Sequence, residues 1–163
     1  MTTLRMQLIT LGGVLALSNA AFSAPKSDQA FLTDAIQGDL AEVQMGKLAV
    51  SKGQAGVKDF GETLVDDHTK AMKEATALAE SMKVAVPASP KADAQQMYEM
   101  LSKLNGAEFE RQFIAHMIEG HQKEIATYTE QTKGNKDSDV TQLATETLPT
   151  LQKHLQIAQS LRK

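Results

Sequence analysis

The chain of 163 residues contains no cysteine and no tryptophan. Without cysteine there is no disulfide, no thiolate metal ligand, no thiol nucleophile and no lipid-modified cysteine of the bacterial lipoprotein kind. Aromatic residues are scarce, five Phe and two Tyr, and only four prolines interrupt the chain. Charge is mixed: 17 basic residues stand against 20 acidic ones, a formal net charge of −3, with no basic block. Nothing here neutralises a phosphate backbone or an anionic lipid surface, so nucleic acid is excluded as an expected partner. No apolar run reaches the roughly 20 residues that span a bilayer. Also missing are a Gly-rich phosphate loop and a Ser-His-Asp arrangement, so no catalytic residue is assigned and an enzyme is not the expected reading.

What is present begins with an export signal. Arg5 and the amino terminus supply positive charge, Leu8 to Leu17 form a short apolar run, and small residues follow up to Ala24. That order is expected of a signal peptide over residues 1–23, cleaved between 20 and 24, with a periplasmic or secreted destination. Residues 24–163 then form one domain, long enough to bury a core without disulfides. After cleavage no integral membrane segment is expected.

Ala, Leu, Lys, Glu, Gln and Met dominate the remainder, a helix-forming composition. Ser27 and Asp28 are candidate N-caps for a first helix running to about Ser51. Gly53-Gln54-Ala55-Gly56 reads as a break that uses glycine's left-handed conformation. A second helix is expected over Val57–Lys83, with the stripe Val57, Gly61, Leu64, His68, Ala71, Ala75, Leu78 and Met82 at three- and four-residue steps. Pro87 and Pro90 mark an extended connector, and Ser89-Pro90 reads as the N-cap and first residue of a short helix to Leu104. Asn105 and Glu108 have capping-box spacing for a third main helix, Ala107 to about Lys133. The fourth, from Ser138 or Asp139 to Leu161, contains Pro149, which is expected to kink or loosen one turn. The expected fold is all-α: a ferritin-like antiparallel four-helix bundle with an extra short helix in the crossover between helices two and three.

Three of the four histidines, His68, His121 and His154, fall on or beside core stripes, whereas His116 points about 140° away from His121, onto a flank. Counting rises of about 1.5 Å per residue from the turns puts Glu42, His68, His121 and His154 in the middle third of the bundle. One carboxylate and three imidazoles from four helices form a candidate site for a single zinc, iron or copper ion. A hydrogen-bonded polar core, with Glu42 as acceptor, uses the same residues. Met72 and Met117, one turn from His68 and His121, would suit copper(I) but also serve as core filler. Di-iron bundles place Glu three residues before His; here those places hold Val65, Phe113, Ile118 and Leu151, which speaks against a ferritin-like redox enzyme. Asp67 and His68 diverge by about 100° and are not expected to act together.

Phe31 and Glu42, Asp67-His68, Gly106, Phe109, Gly120-His121, Leu148-Pro149 and His154 together resemble the family known as domain of unknown function 4142. The resemblance spans about Phe31 to Leu161 and implies an exported bacterial protein with a ferritin-like bundle. It implies no reaction. The expected role is therefore a non-enzymatic structural, stress-related or interaction function, with metal binding through the His/Glu cluster as the alternative. An apolar face on any helix leaves room for a homo-oligomer or an envelope protein partner.

Overall fold

A computed structural model describes residues 27–162; the expected signal over residues 1–23 lies outside them. Five helices follow one another: α1 (Asp28–Lys52), α2 (Ala55–Ser81), α3 (Ala92–Ser102), α4 (Gly106–Gln131) and α5 (Asp139–Leu161). No strand occurs among the described residues, and none of their helices is long and apolar enough to cross a membrane. The fold is an antiparallel four-helix bundle of the ferritin-like kind, with α3 in the crossover. Packing is densest within the hairpins α1–α2 and α4–α5, α2 then lies on α5, and α1 meets α4 more sparingly.

Local chemistry explains most boundaries. The Ser27 hydroxyl accepts a hydrogen bond from the Ala30 N–H at 3.3 Å, capping α1 as expected. Other ends differ from the expected signals. Gly53 is extended (φ −77°), not left-handed, and Ala55 and Gly56 already belong to α2. Glycine is required at 53 for space, because a Cβ would meet the Val57 side chain at 2.6 Å and the Ala49 carbonyl at 2.8 Å. Lys91, not Ser89, occupies the N-cap position of α3, without a side-chain cap, and Pro90 stays outside the helix, buried, its carbonyl accepting from Gln95 Nε2. Asn105 makes no side-chain cap. Its Oδ1 instead accepts from Lys52 Nζ, which also donates to the Ser102 and Leu104 carbonyls and so ties the end of α3 to α1. α5 remains helical through Pro149.

Two apolar clusters fill the bundle. Met45, Leu48, Phe60, Leu64, Leu101, Phe109, Phe113 and Met117 anchor the first, at the α1–α2 turn. Phe31, Leu32, Ile36, Ala75, Ala79, Tyr128, Val140 and Leu151 anchor the second, at the opposite end. On every long helix a buried polar residue falls between the two: Asp39 and Glu42 on α1, His68 on α2, His121 on α4, His154 on α5. The candidate site is this layer.

Candidate metal centre

Each ligand candidate reaches the layer because its helix carries it midway along a stripe that is otherwise apolar. His121 and His154 are 0% exposed and His68 is 3% exposed. One nitrogen of each ring lies within 4.8 Å of those of the other two, and ring centroids are 5.2 Å (His68–His154), 5.3 Å (His121–His154) and 5.9 Å (His68–His121) apart. Phe60 packs against this trio, its ring 6.1 Å from His154 and 6.5 Å from His121. Glu42 does not join the three imidazoles as a fourth ligand of the same set. It falls into an overlapping set with His121 and Glu124. His116 sits half-buried on the flank, as its spacing requires.

The outer nitrogens determine what the inner ones present. His121 Nδ1 lies 2.9 Å from the Met117 carbonyl. A carbonyl only accepts, so Nδ1 carries the hydrogen and Nε2 of the neutral ring offers a lone pair. His154 Nε2 lies 2.9 Å from Asp67 Oδ2, and His68 Nδ1 lies 2.8 Å from Asp39 Oδ1. When Asp67 and Asp39 are ionised and accept, as a bound cation would favour, His154 Nδ1 and His68 Nε2 also turn lone pairs inward. His68 Nε2 has no hydrogen-bond partner, and His121 Nε2 faces His154 Nδ1 at 3.3 Å. An oxygen acceptor behind each imidazole, fixing tautomer and ring angle, is the outer shell that metal-bound histidines carry. Two nitrogens bound at 2.0–2.1 Å to a tetrahedral ion stand about 3.3–3.4 Å apart, which matches the His121–His154 spacing.

Electrostatics keeps the rings neutral. Burial, then the neighbouring His68 and His154, lowers His121 from 6.5 to about 3. Burial also lowers His68, and it lowers His154 against the opposing pull of the Asp67 hydrogen bond. Burial acts oppositely on the acids: Asp39 is raised, with Glu74 adding to the effect. Glu42 is raised by burial, then by Glu124 and Asp39. Burial raises Glu124 to about 7, with His68 opposing and Asp39 assisting. A desolvated carboxylate or imidazole resists charge unless a partner compensates it, and a cation among these groups would compensate the acids while using the bases.

Asp39, Asp67 and Glu124 were not singled out from sequence as site residues. The di-iron motif places its carboxylate three residues upstream of a histidine, whereas Glu124 stands three residues downstream of His121, equally on its face. Asp39 stands three residues upstream of Glu42, likewise on its face. Asp67 diverges from His68 as expected and turns to His154 of α5 instead. Of the methionines, Met117 contributes its main-chain carbonyl while its side chain joins the first apolar cluster, and Met72 packs on the second.

The family model for "Domain of unknown function (DUF4142)" matches residues 15–161. This chain belongs to the DUF4142 family. No curated protein matches it. Among solved structures, this DUF4142 protein is similar to a DUF305 fragment from Deinococcus radiodurans, with TM-score 0.70 and 18% identity over 86% of this chain and 98% of that one. It is also similar to CopM in its Cu(II)-bound form, TM-score 0.71 and 17% identity over 85% and 97% of the two chains. CopM in its Cu(I)-bound form gives TM-score 0.69 and 18% identity over 83% and 94%. At these identities the likeness is one of fold.

Proposed function

We propose that this protein holds a single transition-metal ion, of the copper, zinc or iron group, at His68, His121 and His154. The observation that carries this reading is the buried histidine triad: three imidazoles, each with an oxygen behind one ring nitrogen, and one nitrogen of each within 4.8 Å of those of the other two. Imidazole donors suit copper, zinc and iron, and copper(II) heads the affinity order of divalent ions. CopM, which shares the fold, has been solved with Cu(II), Cu(I) and silver, and this supports copper as the first ion to try. Complete burial of His121 and His154 suits keeping an ion more than reacting it with a bulky substrate, so the role is metal holding in the periplasm or outside the cell.

The structural or stress-related role that sequence alone puts first explains the layer less well. It leaves His68 Nε2 buried without a hydrogen-bond partner, at about 1–3 kcal/mol. The test is metal analysis of the purified chain after stripping and reloading with Cu(II), Zn(II) and Fe(II), paired with thermal unfolding. One tightly held ion per chain is expected, adding about 2.7 kcal/mol of stability at a free concentration a hundred times Kd. His68→Ala and His121→Ala should lose both. If neither variant changes metal content, and both are merely less stable, the proposal fails.

A further inference from the structure

His121 belongs to two ligand sets, His68–His121–His154 and Glu42–His121–Glu124, each with ligand atoms within 4.8 Å of one another. Its Nδ1 is committed to the Met117 carbonyl, so both sets draw on the one lone pair at Nε2. The second set is more than a cluster of acids. Glu42 is only 6% exposed, and Oε2 of both Glu42 and Glu124 is buried with no hydrogen-bond partner. The seam between α1 and α4 makes room for these carboxylates reciprocally. A Cβ on Gly38 of α1 would stand 3.1 Å from Glu124 Oε1, and a Cβ on Gly120 of α4 would stand 3.9 Å from Glu42 Oε1. Each carboxylate thus lies against a glycine of the opposite helix.

We propose that Glu42, His121 and Glu124 form a second cation position, suited to a hard divalent ion of the manganese class, and exclusive of the tri-histidine position. Carboxylate oxygens favour harder ions and imidazole nitrogens favour copper and zinc. The two positions therefore differ in preference, while a single lone pair prevents both from being filled with complete ligand sets. The centre sorts ions by which side of His121 they occupy. This inference rests on the tri-histidine reading for its exclusivity, but not for the carboxylate position itself.

Electron paramagnetic resonance on the full chain, with Mn(II) and Cu(II) as probes, tests it. One Mn(II) per chain is expected, released when one equivalent of Cu(II) is added. The double substitution Glu42→Gln/Glu124→Gln, which removes both anionic ligands, should abolish stoichiometric Mn(II) binding and leave the nitrogen hyperfine pattern of bound Cu(II) unchanged. His68→Ala should do the reverse. Gly38→Ala, whose methyl presses on the Glu124 carboxylate, provides a second variant that weakens Mn(II) selectively should the double variant fail to fold. Mn(II) and Cu(II) bound together at full stoichiometry would overturn exclusivity. Mn(II) that does not bind, or that is weakened equally by His68→Ala and by the Glu pair, would overturn the second position. Failure of the tri-histidine reading looks different: Mn(II) is held and Cu(II) is not.

Discussion

The apolar end of the bundle and its middle layer are equally buried but built on opposite terms. Around the α1–α2 turn, Phe109 stacks on Phe113 with ring centroids 5.6 Å apart, and Phe60 meets Phe113 edge-on at 6.2 Å. These phenylalanine side chains need no hydrogen bond. A few residues along the same helices, Asp39, Glu42, His68 and Glu124 each keep a buried polar atom without a partner. The first region contributes stability by burial and close packing. The second gives stability up, which a protein retains where the groups have something to bind.

Breaking the apolar end should give the largest effect. Phe113→Ala removes a fully buried ring and is expected to cost about 3–5 kcal/mol in urea unfolding, by a similar amount with and without metal. A metal-dependent cost of that size would mean that the two regions are not independent. Gly61→Ala probes the contact that sets the α1–α2 spacing on which the His68–Asp39 pair depends. Its new methyl would stand 2.7 Å from the Gly46 carbonyl, 2.8 Å from the Ala49 Cβ and 2.9 Å from the Val50 nitrogen. Backbone atoms yield little, so about 1–3 kcal/mol of stability should be lost, and metal retention measured on the same sample should weaken too.

The smallest effect sharpens the comparison most. Glu124 holds its proton in the folded chain up to about pH 7, against 4.5 ordinarily. Its contribution to folding is therefore complete below about pH 4.5 and is lost as pH rises through 7. His121, lowered to about 3, contributes in the other sense: present above 6.5 and lost as pH falls toward 3. Comparing Glu124→Gln with wild type, both metal-free, largely cancels the histidine contribution. The variant should gain on the order of 1 kcal/mol relative to wild type between pH 5 and pH 8, measured by urea unfolding at each pH. An unchanged difference would mean that Glu124 does not hold that proton.

The helices were legible because each long stripe repeats over several turns, and their ends fall within a few residues of the expected ones. Local signals misled where tertiary demands outweighed them. Ser89-Pro90 has the form of a helix start, but burying Pro90 postpones α3 to Ala92. Asn105 has the form of a cap, but Lys52 takes its oxygen. His68, His121 and His154 could be found as polar residues on or beside apolar stripes, and depth counting put Glu42 in their layer. Which oxygen stands behind which ring depends on how neighbouring helices are rotated about their axes. One helix's periodicity does not encode that rotation, so Asp67 of α2 behind His154 of α5 emerged only from the assembled bundle.

The Met117 carbonyl behind His121 has one further consequence. Asp39 and Asp67 are side chains, and a single codon change can remove either. A main-chain oxygen survives every substitution at position 117 that keeps α4 helical. Among the three rings, His121 is thus the one whose inward atom is inherited from the helix itself, and mutational drift can retune its companions while leaving that atom in place.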